Sequence, residues 1–403
     1  MQRRTFLTAT AASLVSFPLV ARIRAQELRA LPKNVTLRGN YDNSRFVFET
    51  TGKGRVAFLG GSITEMDGYR PMVCEYLRKR FPKTEFDFVA AGISSTCSDV
   101  GAYRLQRDVL GGDEELPVDL FFVEFAVNDN QDGGFSYEHA TRGMEGIIRH
   151  IRSARPNVDI VMTFFVNESL MDSYRKGEPA TSIRAHRAVA ERYEVSTIDL
   201  AKEIQEEIDD GKITWQEFGG VHPAPRGNRI CADMIEALLE RSWSRPLATA
   251  TSARDLPEPL DVYSYANGRF RGFDGVDASN GFSIYVPEWS KIPGGFRQTF
   301  AGQPCLCAEK AGAETSFTFN GTAAALYVLA GPDAGTIEVK VDDRAPVKVN
   351  LFHHYSAGLH YPRAATLADA LPSGEHKIVL RVLDEKDERS SGNAVRVLQI
   401  CEN

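Results

Sequence analysis

The chain has 403 residues, enough for two or three domains that each bury a hydrophobic core. Hydrophobic residues make up 43% and charged residues 25% of the chain, which excludes a disordered, collagen-like or coiled-coil protein. Because 54 acidic residues outnumber 47 basic ones, the net charge is −7, which disfavours binding to nucleic acid. No segment approaches the roughly 20 consecutive apolar residues of a membrane span, so no stable membrane insertion is expected.

The first 25 residues have the pattern of an export signal. Arg3 and Arg4 precede a moderately apolar run over 6–20, and Ala21 or Ala25 offers a small-residue cleavage site. The segment RRTFL resembles the twin-arginine signal of bacteria. We therefore expect a bacterial protein exported to the periplasm or the cell exterior. Without these residues 54 acids stand against 43 bases, a net charge of −11.

From Arg55 to Arg245, short apolar runs alternate with amphipathic stretches of helix length. Predicted strands begin at Arg55, Phe86, Asp119, Val158 and Val195; predicted helices cover 69–81, 98–110, 136–154, 181–193, 200–209 and about 225–241. Five unbroken apolar strands, each followed by a helix, predict a parallel sheet covered on both faces. We therefore predict a three-layer α/β/α sandwich over 26–245. Two further strand-like runs, VTLRG and RFVFE within 28–51, could join either domain.

The pattern changes after Arg245. Residues 246–262 are rich in Pro, Ala, Ser and Thr and are typical of a linker. From 263 to 403, polar and apolar residues alternate in short runs separated by Gly, Asp and Pro, which predicts an antiparallel β-sandwich. The runs GTAAALYVLAGPDAGTIEVKVDD and GEHKIVLRV loosely resemble the galactose-binding-like β-sandwiches appended to secreted carbohydrate-active enzymes.

Four segments in the first half place reactive side chains at the ends of predicted elements. The first strand ends in GGSIT, which places Ser62 at a tight turn before a helix, and the second ends at Gly92. Asn128 follows the third strand, and His222 stands just before the last helix. Because reacting groups of such sheets lie at the carboxyl ends of the strands, we expect these four residues to meet at one edge.

Taken together, these segments resemble the SGNH hydrolases, also called GDSL-like esterases, over roughly residues 54–241. The resemblance implies a flavodoxin-like fold in which Ser62 is the nucleophile and His222 the general base. It also implies an oxyanion hole formed by the backbone N–H groups of Ser62 and Gly92 and the side chain of Asn128. It implies no metal and no organic cofactor.

The sequence departs from the family pattern at three positions. Gly61 replaces a usual Asp, and Ala126 replaces a usual Gly, both at supporting positions. Gly219 stands where the family places the Asp that orients the imidazole. Either another acid, Glu217 or Asp129, orients His222, or a backbone carbonyl assists a Ser–His dyad, which is the alternative we favour.

Other polar and aromatic residues have less certain roles at this stage. Arg70, Asp99 and Arg104 fall near the first two loops, where solvated or salt-bridged surface residues are expected. Tyr355, His360 and Tyr361 offer rings that could stack on a sugar or approach the catalytic cleft. The alternative that we favour for all three is packing within the sandwich or at the seam between the two domains.

These features predict a secreted serine esterase that hydrolyses O-acyl esters, above all O-acetyl esters, on carbohydrate. Two alternatives use the same nucleophile: a lipase or lysophospholipase, and an acyltransferase. A third alternative is a glycan-binding surface protein without catalytic activity. The expected partner is an acylated carbohydrate or a small ester.

Overall fold

The computed structural model describes residues 30–114 and 116–403, and the predicted export signal lies outside the described residues. The first half is built on a six-stranded sheet whose strands are β1 (Val35–Thr36), β2 (Lys53–Gly60), β3 (Glu85–Gly92), β4 (Leu120–Val123), β5 (Asp159–Thr163) and β6 (Ser196–Ile198). They pair in the order β1-β6-β5-β4-β2-β3. All pairs are parallel except β1 with β6. The parallel sheet is confirmed, and the short antiparallel β1 makes it one strand wider than predicted.

Eleven helices are described in this half of the chain. They are α1 (Asp42–Thr51), α2 (Ser62–Glu65), α3 (Tyr69–Arg80), α4 (Ser98–Asp108), α5 (Ala126–Gln131), α6 (Tyr137–Ala154), α7 (Glu168–Arg175), α8 (Thr181–Arg192), α9 (Leu200–Asp209), α10 (Trp215–Phe218) and α11 (Pro225–Trp243). Helix α11 packs against α1 and α3, whereas α6 packs against α4 and α8. These two groups of helices agree with the predicted layers of an α/β/α sandwich. Within the described residues, no helix is both long enough and apolar enough to cross a membrane.

The structure corrects two strand predictions. The run RFVFE lies inside α1, where Phe48 is buried against the rings of Phe81 and Phe86 and Gly52 ends the helix with a φ of 68°. The apolar run that begins at Asp119 leaves the sheet after Val123 and enters α5. In both runs tertiary packing overrides a local preference for the extended conformation.

The second half forms two antiparallel sheets. Its strands are β7 (Arg269–Arg271), β8 (Ser283–Tyr285), β9 (Cys305–Ala308), β10 (Glu314–Gly321), β11 (Ala324–Ala330), β12 (Thr336–Val341), β13 (Val347–Asn350), β14 (Tyr361–Ala368), β15 (Gly374–Val382) and β16 (Val395–Glu402). One sheet has the order β10-β15-β12-β13, and the other has the order β14-β11-β16-β9-β8 with β7 also paired to β16. The predicted β-sandwich is confirmed.

The sheet that contains β11 is buried on both faces. Along β11, Leu326 and Val328 belong to the core between the two sheets of the sandwich. The alternating residues Tyr327 and Leu329 belong to the same apolar cluster as the core of the α/β half. Because successive side chains of a strand point to opposite faces, β11 joins the two halves into one packed body.

Polar contacts also connect the two halves. The guanidinium of Arg142 on α6 donates from Nε to Asp261 and from Nη1 to Asp369, each over 2.7 Å. The three side chains are mostly buried, with exposed fractions of 17%, 17% and 20%. Asp369 follows β14, so the ion pair between Arg142 and Asp369 connects the sandwich directly to a helix of the α/β half.

We expect Arg142→Met to lower the free energy of unfolding by about 2 kcal/mol, because it leaves two mostly buried carboxylates without their cation. Urea titration followed by circular dichroism measures this change. The matched control is Arg175→Met, which removes another arginine held by two acids, Asp172 and Asp209, but at the surface. That change should cost less than about 1 kcal/mol. Equal losses in the two variants would contradict the role given to Arg142.

Candidate active site

The carboxyl ends of three adjacent strands meet at one edge of the α/β sheet. Strand β2 lies between β3 and β4. The chain runs from β2 to β3 on one side and then crosses to β4 on the other side of β2. Such a reversal of strand order opens a crevice at the carboxyl edge. Ser62 follows β2, Gly92 ends β3, and Asn128 follows β4 within α5. The structure therefore brings the three predicted strand-end residues to the same edge.

The side chains of Ser62 and His222 are in direct contact. The Nε2 atom of His222 lies 2.8 Å from the Oγ atom of Ser62, a hydrogen-bonding distance. Ser62 is the first residue of α2, so its backbone N–H belongs to the first turn and has no acceptor within the helix. This arrangement combines a hydroxyl, an imidazole and an amide donor at the start of one helix.

A tight turn between α10 and α11 presents His222. Gly219 ends α10 with a φ of 107°, and the N–H of Ala224 closes the turn on the carbonyl of Phe218 at 2.8 Å. A Cβ atom added at Gly219 would lie 2.0 Å from the backbone nitrogen of Ala224. The turn therefore has no room for an aspartate at this position, which explains the departure from the family pattern.

Two buried side chains hold the peptide unit that precedes Ser62. The Gly60 carbonyl accepts a hydrogen bond of 2.9 Å from Nη2 of Arg104. The Gly61 N–H, in the same peptide unit, donates over 2.8 Å to Oε1 of Glu124. Thr64 also donates to this oxygen, and Arg104 also donates to the Ala91 carbonyl at the end of β3. We call Arg104, Glu124 and the Gly60–Gly61 peptide unit the peptide clamp.

Both charged groups of the peptide clamp are deeply buried. Arg104 is 0% exposed and Glu124 is 1% exposed. Burial lowers the pKa of Arg104, whose charge is matched by Asp108 at 3.1 Å. Burial raises the pKa of Glu124 to about 7, and its second oxygen, Oε2, has no hydrogen-bond partner within the described part of the chain.

Asn128 and Gly92 both lie close to the turn that carries Ser62. The Oδ1 atom of Asn128 would lie 2.3 Å from a Cβ atom added at Gly61. One N–H of the Asn128 amide donates to Asp132 over 2.7 Å, which leaves the second N–H available to donate another hydrogen bond. A Cβ atom added at Gly92 would lie 2.2 Å from the backbone nitrogen of Glu65 in α2. Side chains at Gly61 or Gly92 would therefore push these segments apart.

Neither acid proposed to orient His222 lies next to the imidazole. Glu217 accepts hydrogen bonds from Thr214 in a capping box at the start of α10 and pairs with Arg226. Asp129 is fully buried and is bound by Ser98 and His186. Within residues 30–114 and 116–403, Nδ1 of His222 has no hydrogen-bond partner. The described residues therefore give a Ser–His pair without an orienting carboxylate, and the backbone carbonyl that we favoured as its helper is not found at Nδ1 either.

The Ser–His pair opens into a cleft of about 590 Å³ between the two halves of the chain. The α/β half contributes Ser62, Ser94, Ser95, Gln131, Asp132 and His222, and the sandwich half contributes Arg297, Tyr355, Gly358, Leu359 and Tyr361. The hydroxyl of Tyr361 donates to the Ser95 carbonyl over 3.1 Å. His353 bonds through Nε2 to the Asp132 carbonyl over 2.9 Å. The β-sandwich thus forms one wall of the cleft.

The structure corrects several expectations for residues outside the predicted site. Tyr355 and Tyr361 line the cleft, while Tyr361 also packs at the seam between the two halves and His360 is buried within the sandwich, both as expected. Arg104 and Asp99 are buried instead of solvated, with Asp99 near His139 at 3.4 Å. Arg70 remains near the nucleophile helix, where it donates to the Thr64 carbonyl and pairs with Asp67.

Sequence reasoning missed two residues of this site. Glu124 directly follows an apolar strand, and its position between Val123 and Phe125 was the available signal, because a carboxyl group there must be buried. Arg297 lies in the loop between β8 and β9 and had no local signal, because only the packing of the two halves brings it to the cleft.

The raised pKa of Glu124 predicts a pH-dependent stability. Since its pKa is higher in the folded protein than the usual 4.5, its contribution to stability is lost as the pH rises from 4.5 through about 7. Glu124→Gln stays uncharged and keeps an oxygen that can accept both hydrogen bonds. Between pH 4.5 and pH 8, we expect the free energy of unfolding of this variant to rise relative to the wild type by about 3 kcal/mol.

Urea titrations at both pH values measure this difference. Glu388→Gln, which removes an exposed carboxyl group, is the control and should change equally little at both pH values. A difference between Glu124→Gln and the wild type that does not change with pH would contradict the raised pKa.

Comparison with known proteins gives a family match within the α/β half. Residues 58–230 match the model of the GDSL-like lipase/acylhydrolase family, and this range contains Ser62, Gly92, Asn128 and His222. No match was found among the curated proteins.

Among solved structures, the chain is similar to a two-domain esterase (CEX) active on acetylated mannans. The identity is 21% and the TM-score is 0.73, over 92% of this chain and 97% of that one. The same esterase co-crystallised with mannopentaose gives a TM-score of 0.72 at 21% identity, over 92% and 96% of the two chains.

An acetylxylan esterase from Geobacillus stearothermophilus is also similar, with 17% identity, 48% of this chain and 97% of that chain covered, and a TM-score of 0.39. The first of these similarities extends the shared fold across both halves of the chain. Residues 58–230 are therefore similar to the GDSL-like lipase/acylhydrolase family.

Proposed function

We propose that this protein is a secreted serine esterase that removes O-acetyl groups from carbohydrate. The observation that carries the proposal is the 2.8 Å contact between Nε2 of His222 and Oγ of Ser62, at the floor of a cleft walled by the β-sandwich. The match to the model of an acylhydrolase family supports the reaction class.

Ser62 and His222 carry the covalent chemistry. The neutral imidazole accepts the hydroxyl proton of Ser62 at Nε2 while Oγ attacks the ester carbonyl carbon. The resulting imidazolium returns the proton to the departing sugar oxygen, which leaves an acyl group on Ser62. A water molecule, activated by the same imidazole, then releases the acid and restores the hydroxyl.

Three donors at the strand ends stabilise the negative oxygen of the tetrahedral intermediate. They are the backbone N–H groups of Ser62 and Gly92 and the remaining amide N–H of Asn128. The close packing of Gly61 and Gly92 against neighbouring atoms fixes these groups before the substrate binds. Donors fixed in this way each lower the barrier by about 3 kcal/mol, because they need no reorganisation during the reaction.

The imidazole works without a carboxylate partner. Gly219 occupies the place of the family's aspartate, and Glu217 and Asp129 are bound to other groups. The tight turn at 219–224 positions the backbone of His222, and the ring contacts Oγ of Ser62. Such a dyad is slower than a full triad, because no anion stabilises the imidazolium.

The shape and polarity of the cleft favour a small acyl group on a sugar. Its wall contains Ser94, Ser95, Gln131 and Asp132, whose hydrogen-bonding groups match hydroxyl-rich ligands. Tyr355 is 45% exposed there and presents an aromatic face on which a sugar ring can stack. The twin-arginine pattern at Arg3 and Arg4 supports export.

Acetate release from acetylated glucomannan and acetylated xylan tests the proposal. The wild-type protein should release acetate, and Ser62→Ala should lower the rate by a factor of about 1,000 or more, because the nucleophile is lost. Asn128→Ala should lower kcat about 100-fold with a smaller change in KM, because its donor acts on the transition state.

Ser244→Ala, which changes an exposed serine at the end of α11, is the control and should keep full activity. Wild-type activity in Ser62→Ala would remove Ser62 as the nucleophile. Binding of the glycans without any acetate release would instead favour a glycan-binding protein, and a preference for long-chain esters would favour a lipase.

A further inference from the structure

The cleft contains a guanidinium group without an acidic partner. Arg297 lines the cleft beside Ser62 and His222. Its Nη2 atom donates to the neutral hydroxyl of Ser95, and its Nε atom is buried without a partner. In the described part of the chain, no carboxylate lies within ion-pair distance of Arg297, and its Nη1 atom makes no hydrogen bond.

Two other buried arginines of this chain are neutralised by acids. Arg142, at the interface of the two halves, is bound by Asp261 and Asp369, and Arg396, within the sandwich, is bound by Asp333 and Glu309. The chain as a whole also carries an excess of seven acids. A cation left unpaired in the catalytic cleft of such a protein is therefore available to a ligand.

Among the described residues that line the cleft, only Asp132 has an acidic side chain, and that side chain is already hydrogen-bonded to other groups. Asp132 accepts hydrogen bonds from the amide nitrogens of Asn128 and Gln131, at 2.7 and 3.2 Å. Burial raises the pKa of this carboxyl group. The positive end of the cleft is thus the Arg297 side, and it faces the Ser–His pair from the sandwich half.

A guanidinium binds a carboxylate through charge and through paired hydrogen bonds, which a neutral sugar hydroxyl does not match. We propose that the substrates of this esterase are acetylated glycans that contain uronic acid residues. In this proposal Arg297 binds the carboxylate of a uronate unit next to the acetylated sugar. The inference rests on the esterase function proposed above and names the substrate class of the same site.

The proposal is tested by binding, which does not depend on hydrolysis. The probes are an acetylated oligogalacturonide and an acetylated manno-oligosaccharide of equal length, titrated by calorimetry into full-length Ser62→Ala. We expect the acidic probe to bind about tenfold more tightly than the neutral one, as an added charged hydrogen bond implies. In the Ser62→Ala protein, the further change Arg297→Gln should bring the two affinities to the same value. Arg297→Lys should retain part of the preference for the acidic probe.

Two controls separate charge recognition from a merely structural role of Arg297. Ser95→Ala removes the hydroxyl that Arg297 binds but keeps the guanidinium, so the preference for the acidic probe should persist. Arg344→Gln removes an exposed arginine in the turn between β12 and β13 and should leave the ratio unchanged.

Equal affinity of Ser62→Ala for the two probes would overturn the proposal, and so would a ratio that survives Arg297→Gln. Either result would leave the esterase function intact if the wild type releases acetate. Absence of acetate release from every glycan, with the acidic preference present, would contradict the esterase function alone.

Discussion

The site depends on how the peptide unit between Gly60 and Gly61 is held. Arg104 binds its oxygen and Glu124 binds its N–H, so two buried ionisable groups act on opposite ends of one amide. Because the next residue is Ser62, the proposed nucleophile, any rotation of this amide would move its hydroxyl and its backbone N–H together. Burial of such groups costs free energy. This cost falls at the peptide unit that sets the position of the Ser62 hydroxyl.

The two halves of the chain contribute to the site in different ways. The carboxyl edge of the parallel sheet supplies the reacting groups, since β2 lies between β3 and β4 and each of these strands leads to one of them. The β-sandwich supplies the opposite wall, and its sheet is held there because β11 buries alternate side chains in two different cores. Such a wall suits the proposed carbohydrate substrate, which would be held beside Ser62 while only a small acyl group reacts.

Sequence reasoning predicted most of the fold because the strands are continuous apolar runs and the longer helices are amphipathic. It found Ser62 and His222 because motifs at the ends of elements are local in sequence. It missed the helical state of RFVFE, which depends on the contacts of Phe48 with distant rings. It proposed Glu217 and Asp129 as partners of the imidazole. In the structure, Glu217 belongs to a capping box and Asp129 to a buried His–Asp pair. Contacts between distant segments, above all those of Arg297, could not be predicted because no local sequence pattern indicates them.

The central claim is that Ser62, His222, Gly92 and Asn128 form one catalytic unit. A crystal structure of the full protein after reaction with an alkyl fluorophosphonate tests it most directly. The account predicts phosphorus bonded to Oγ of Ser62, with one phosphonyl oxygen about 3 Å from the Ser62 N, the Gly92 N and the Asn128 amide nitrogen. An adduct on another residue, or a phosphonyl oxygen directed away from these three donors, would contradict it.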